Sequence, residues 1–140
     1  MKRECETMTA TDVTRERERW IGENFSGYDS LLGHLAAEFG TPFTVEHTGG
    51  GCHSIVGRLP GGIQVHLSMA VDSISTYAEH AALEADGERA GWAAIIYGPA
   101  DNYSEAVAHS ADDYMSINDH RGVARLVGEA LGRAAFEETV

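Results

Sequence analysis

Hydrophobic residues recur with different periods along this chain, and each period marks a different element. Tyr28, Leu31, Leu32, Leu35, Ala36 and Phe39 fall on one helical stripe. Ser26-Gly27 opens that helix, and Gly40 followed by Thr41-Pro42 closes it. From Phe43 the period drops to two. Phe43–His47 alternates, His53–Leu59 alternates less cleanly, and Ile63–Met69 alternates throughout. Gly49-Gly50-Gly51 separates the first two runs. Leu59-Pro60-Gly61-Gly62 separates the second from the third with residues suited to a tight turn. The three runs predict an antiparallel meander.

Pairing within the meander follows from the requirement that one face stay apolar. With residues 49–51 as the first loop, 47 faces 53 and 45 faces 55. With residues 60–62 as the second, 57 faces 65 and 55 faces 67. One face then carries Phe43, Val45, Ile55, Leu59, Ile63, Val65, Leu67 and Met69. The other carries Thr44, Glu46, Ser54, Arg58, Gln64, His66 and Ser68. A slip of one residue would exchange the two faces, so the separation selects this register.

The flanking segments complete the expected architecture. Thr11–Ile21 reads as a helix of alternating Arg and Glu, capped by Thr11 or Asp12, with a thin stripe of Val13, Trp20 and Ile21 that docks by its C-terminal end. Residues 72–90 are acidic, and Tyr77–Asp86 suits either a short helix or an ordered loop over the sheet. The apolar run Gly91–Tyr97, stopped by Gly98-Pro99, reads as a fourth strand, and Asn102–His109 as a fifth. Ser116-Ile-Asn-Asp119 is a variant capping box ahead of a terminal helix with Val123, Leu126, Val127, Ala130, Leu131 and Ala134 on one stripe. The expected class is α+β: an antiparallel sheet of four to five strands, the meander plus one or two, covered on one face by helices. Residues 1–25 form an N-terminal extension with the charged helix, and residues 26–140 a single domain.

Charge changes this picture more than composition does. The formal net charge is −12. Residues 1–19 hold five basic and five acidic side chains, and residues 121–140 hold three of each. The whole excess therefore lies between 20 and 120, where Arg58 and Arg89 stand against fourteen carboxylates. Such a field disfavours direct contact with nucleic acid or an anionic membrane, and favours a basic protein partner or mimicry of nucleic acid. The candidate contact residues are Asp72, Glu79, Glu84, Asp86, Glu88, Asp101, Glu105, Asp112 and Asp113. The plainer alternative is a solvated face that keeps the chain in solution. No apolar run is long enough to span a bilayer, and residues 1–19 lack the apolar centre of a signal peptide. Cys5 and Cys52 are too few for a disulfide framework, so reduced thiols and a cytoplasmic location are expected.

Candidate chemistry concentrates at Thr44–Ile55, where His47, Gly49, Gly50, Gly51, Cys52 and His53 crowd one hairpin tip. With His66 these residues form an alternative small-ligand or metal site. The register opposes it. His47 and His53 fall on the core side, whereas Cys52 and His66 point the other way. The chain has neither HExxH nor paired CxxC, and no cofactor is expected. His53 follows Cys52 directly and so faces away from its sulfur, which ranks a cysteine hydrolase last. The triple glycine lacks the Lys-Ser/Thr of a phosphate loop and joins two strands instead of opening a helix. Trp92 and Tyr97 read as core and edge aromatics, because a base-stacking platform needs basic neighbours.

The run Phe-Thr-Val-Glu-His-Thr-Gly-Gly-Gly-Cys-His-Ser-Ile at 43–55, with Gly91-Trp92 and Ile96-Tyr97, resembles small uncharacterised proteins of actinobacterial phages over about residues 42–98. The resemblance implies an accessory gene of a phage or mobile element, acting in the host cytosol, and carries no site residues with it. Together with the charge, it gives the expected function: a non-enzymatic acidic protein acting by protein–protein binding, as a host-defence inhibitor or nucleic-acid mimic.

Overall fold

In the computed structural model, which describes residues 9–49, 51–98 and 106–139, the first helix begins with a reciprocal cap. Thr9 Oγ1 accepts from the Asp12 amide at 3.0 Å, and the Asp12 carboxylate accepts from the Thr9 amide at 3.4 Å. Thr9, not Thr11 or Asp12, is thus the cap, because Asp12 at the third helical position reaches back to it. Helix α1 (Ala10–Phe25) runs beyond the expected end at Ile21. From Val13 to Trp20 its side chains are exposed, and it docks through Ile21 and Phe25 at its C-terminal end. A single 3-10 turn, Ser26–Tyr28, leads into α2 (Asp29–Phe39). Gly40, at φ 68°, closes α2 and donates its amide to the Ala36 carbonyl.

Five antiparallel strands follow in spatial order β1-β2-β3-β4-β5: β1 (Phe43–Gly49), β2 (Cys52–Arg58), β3 (Gln64–Ser68), β4 (Trp92–Tyr97) and β5 (Ala106–Asp112). The meander has the register that the apolar pattern requires. His47 faces His53, Val45 faces Ile55, Gly57 faces Val65 and Ile55 faces Leu67. Gly49 itself pairs with Cys52 after a bulge, so the first loop is shorter than residues 49–51. The fifth strand extends to Asp112 instead of ending at His109. The acidic stretch resolves into a helix, α3 (Tyr77–Ala85), started by a capping box between Thr76 and Glu79. The terminal helix α4 (His120–Thr139) is capped by Asp119, whose carboxylate accepts from the Gly122 amide at 2.9 Å; Ser116 instead accepts from Asn118.

Helices α2 and α4 cover the apolar face of the sheet, α2 over β1 and α4 over β4 and β5. Trp92, Tyr28, Leu31, Leu35, Ile55, Leu67, Ile96 and Val127 form the centre of the core between these layers, and Val45 packs half-buried at its margin. On the opposite face, cross-strand partners Thr44 and His66 flank Val56, which is 2 % exposed.

Two glycines permit close approaches on which this packing depends. At Gly57 a Cβ would enter the Phe43 ring, so glycine lets that ring lie flat on β2. Gly91 has φ +54°, and a Cβ there would overlap the Asp112 carbonyl. A Gly91→Ala variant should lose about 2–4 kcal/mol of stability, because neither the dihedral nor the opposing backbone can yield. Gly33→Ala, on the exposed side of α2 with nothing within 4 Å, should gain up to about 1 kcal/mol. Urea unfolding of the two variants checks both signs.

Candidate functional site

One end of the sheet gathers most of the chemistry in the molecule. The antiparallel order places the C-terminal ends of β1, β3 and β5 beside the N-terminal ends of β2 and β4. The hairpin tip and three loops therefore meet there. Ile74 donates its amide to the His53 carbonyl at 3.1 Å, tying the loop after β3 to the tip. Ala70 donates to the Ala90 carbonyl at 2.7 Å, tying the same loop to the approach to β4. Arg89 Nε donates to the Asp113 carboxylate at 2.8 Å, joining that approach to the turn after β5. Glu84, at the end of α3, accepts from the Ile117 amide at 2.6 Å and the Ser116 hydroxyl at 3.3 Å. Trp92 Nε1 donates to the Ser116 carbonyl at 3.2 Å, holding that loop from the core side.

The acidic residues singled out in the sequence divide by what their carboxylates do. Asp72 accepts from the Ser73 amide at 2.8 Å, and Asp112 from the Tyr114 amide at 3.0 Å. Glu79 belongs to the α3 capping box, Glu84 holds Ile117, and Asp113 pairs with Arg89. Asp86 and Glu88 are exposed and make no side-chain bond among the described residues. Asp101 and Glu105 lie outside the described residues. A bond to an amide stabilises a carboxylate without cancelling its charge, so only the Arg89–Asp113 pair is neutralised. Around it, Glu84, Asp86, Glu88 and Asp112 form a negative rim, brought together from segments far apart in sequence. Two large apolar side chains stand exposed in the same loops, Tyr114 at 68 % and Val71 at 53 %.

The alternative constellation is only partly assembled. His47 and His53 pair on the core side with ring centroids 5.2 Å apart. His53, 7 % exposed, also lies against Phe25 at 5.1 Å and Trp20 at 5.3 Å. Burial pushes its pKa below the ordinary 6.5, and His47 and Arg17 push the same way. Cys52 is exposed. His66 belongs to the uncovered face, where its Nε2 bonds Gln64 Oε1 at 2.9 Å and its ring meets Tyr97 edge-on at 4.7 Å. Its cross-strand partner Val56 is four residues along β2 from Cys52, about 13 Å. Among the described residues no three His, Cys, Asp or Glu side chains converge as a metal cluster. Gly51, at φ +79°, completes the turn as a conformational element, and Gly50 lies outside the described residues.

Sequence reasoning missed the most constrained polar group, His80. Its imidazole is fully buried on α3, against Trp92 at 4.9 Å. Nε2 contacts the Gly91 carbonyl at 3.1 Å, and Nδ1 contacts the Tyr28 hydroxyl at 2.9 Å. The same hydroxyl donates to the Ser75 carbonyl at 3.0 Å. Burial lowers the His80 pKa and raises that of Tyr28, so both are neutral near pH 7. The only available signal was that Tyr77, His80 and Ala81 share one helical face, which places a lone imidazole towards the core.

An open groove of about 780 Å³ runs between α2 and α4, past His34, Glu38, Phe39, Arg121, Arg125 and Glu129. Its two guanidinium and two carboxylate groups balance, and it presents no convergent buried polar group. Among the described residues no helix is long and apolar enough to cross a membrane. No protein-family model, no curated protein and no solved structure matches the chain.

Two outcomes follow from this geometry. Purified protein should carry less than about one zinc per several chains, since the ligand set diverges across a pleated strand. Elemental analysis showing one zinc per chain, lost in Cys52→Ser, would contradict that. Stability should also fall as pH drops below 6.5, because His53, His66 and His80 all bind protons more weakly folded than unfolded. Glu46, lowered from 4.5 chiefly by its hydrogen bond to Arg58, adds to this loss only at lower pH. A urea midpoint that stays flat from about pH 7 to about pH 5 would contradict the histidine effect.

Proposed function

We propose that this protein is a non-enzymatic binding module that docks a basic protein through the acidic rim at the end of its sheet. The observation that carries this reading is the pairing of an aromatic anchor with charge. Tyr114 stands 68 % exposed in the turn between Asp112–Asp113 and the Glu84-bound loop. Exposed tyrosines within charged rims are frequent centres of binding energy, while the surrounding charges set encounter rate and partner choice. The resemblance to actinobacterial phage proteins suggests the setting: the partner is a basic host or phage protein, towards which the carboxylates would act as a nucleic acid's phosphates do. A small-ligand site at the His47–His53 pair is the second reading, favoured by the proximity of those rings.

Asp86→Lys with Glu88→Lys is the informative charge variant. Glu84 is unsuited to it, because its carboxylate holds the Ile117 amide. For a basic partner captured from host lysate, the double variant should slow association about tenfold or more and flatten its salt dependence. Tyr114→Ala should instead raise the dissociation rate, at a cost of about 2 kcal/mol. Unchanged rates in both variants, measured by surface plasmon resonance at two salt concentrations, would remove the rim as the contact.

A further inference from the structure

We propose that the outer edge of β1 pairs with the same edge of a second copy, joining two five-stranded sheets across a two-fold axis. Strand β1 ends the sheet, and every second residue of such a strand turns its amide and carbonyl outwards. Among the described residues, β1 makes no hydrogen bond beyond its ladder with β2 except those of the Thr44 and Glu46 side chains. The opposite edge differs. There Arg133 donates to the His109 carbonyl at 2.6 Å, and Asp112 places a carboxylate at the end of β5.

β1 carries few of the devices that usually prevent edge pairing. It holds no lysine and no proline, and a bulge interrupts it only at the His47/Gly49 end. Its one charge, Glu46, is bound through both oxygens by Arg58 of the same chain, at 2.5 and 2.8 Å. In a chain of net charge −12, β1 itself therefore sets no bare carboxylate against an identical strand. Antiparallel pairing centred on Val45 places Val45 opposite Val45, Thr44 opposite Glu46 and Phe43 opposite His47, with no like charges facing.

The layer above the edge fits the same occupant. A cleft of about 230 Å³ lies between the last turn of α1, α2 and β1, lined by apolar Ile21, Phe25, Leu32 and Val45 and, on its polar side, by Ser26 and Asp29. Two-fold pairing keeps both helical layers on one side of the joined sheet, so cleft meets cleft: the apolar side chains cover each other, and the exposed Asp29 of each copy adds to the repulsion between the bodies. A seven-residue edge is about 23 Å long, so the seam is smaller than the roughly 800 Å² per partner of a stable complex. The dimer is therefore weak and reversible. Because the bodies repel, it strengthens as salt rises, opposite in sign to docking of a basic partner at the rim.

Sedimentation equilibrium of the full chain, up to about 0.1 mM at low and high salt, tests this. The expected result is a monomer–dimer equilibrium that shifts towards dimer with salt. Gly22→Glu adds a carboxylate at the cleft, at a helical glycine with nothing within 4 Å, so the fold is kept. It should raise the dimer dissociation constant at least about tenfold, whereas Gly132→Glu on α4, equally unhindered, should leave it unchanged. Amides of β1 should exchange with deuterium more slowly at high protein concentration than at low. A chain that stays monomeric at every concentration and salt, a dimer indifferent to Gly22→Glu, or β1 amides that exchange alike at both concentrations would each overturn the proposal. None of these outcomes bears on the rim.

Discussion

The structure turns on one buried imidazole. His80 has no exposed surface, so both of its ring nitrogens must find partners inside the protein. They find them on separate elements: Tyr28, in the turn between α1 and α2, and the carbonyl of Gly91, at the entry to β4. Four groups, Ser75 carbonyl, Tyr28 hydroxyl, His80 imidazole and Gly91 carbonyl, make three contacts. Neutral tyrosine and neutral histidine bring only two protons to those contacts. Since the Gly91 carbonyl can only accept, Nε2 carries the imidazole proton, and the Tyr28 proton is shared between Ser75 and Nδ1. A third proton would complete the chain of bonds, but burial opposes the charge it would bring.

The acidic rim inherits its shape from this network. The bond to His80 holds the Gly91 carbonyl inward, and the positive φ of Gly91 brings the chain against Asp112. From that crossing, Arg89 reaches Asp113 and Glu84 reaches Ile117. Carboxylates from α3 and from the turn after β5 are thereby fixed on loops that would otherwise spread their charge apart. Amides, not cations, hold Glu84 and Asp112, while Asp86 and Glu88 stand exposed beside them, so the rim is braced and strongly negative together. That combination is costly for an isolated fold, since self-repulsion lowers stability. A basic partner would relieve it.

The sheet was legible because its information is local and redundant. Ile63–Met69 alternates without exception, and two glycine turns leave one register in which Val45, Ile55, Val65 and Leu67 share a face; those pairs are the ones formed. Helix ends were less legible. Thr9 and Asp119 each act as caps by reaching three residues along the chain, and neighbouring Thr11, Asp12 and Ser116 present the same chemistry in sequence. The acidic stretch at 72–90 had no period strong enough to distinguish helix from loop, and α3 owes its place to His80, a tertiary bond. The rim shows the same limit. Its charge was countable, but which carboxylates brace loops and which remain exposed depended on contacts between residues such as Glu84 and Ile117, 33 positions apart.

Nitrogen NMR of the imidazoles across a pH titration tests the central constraint most directly. The Nε2–H tautomer of His80 should persist as pH falls through 6.5, with its midpoint below that ordinary value and the Gly91 and Ile117 amides unshifted until the fold itself is lost. A His80 ring that titrates at 6.5 or above, or that carries its proton on Nδ1, would contradict the picture of a neutral imidazole pinning α3 to the sheet.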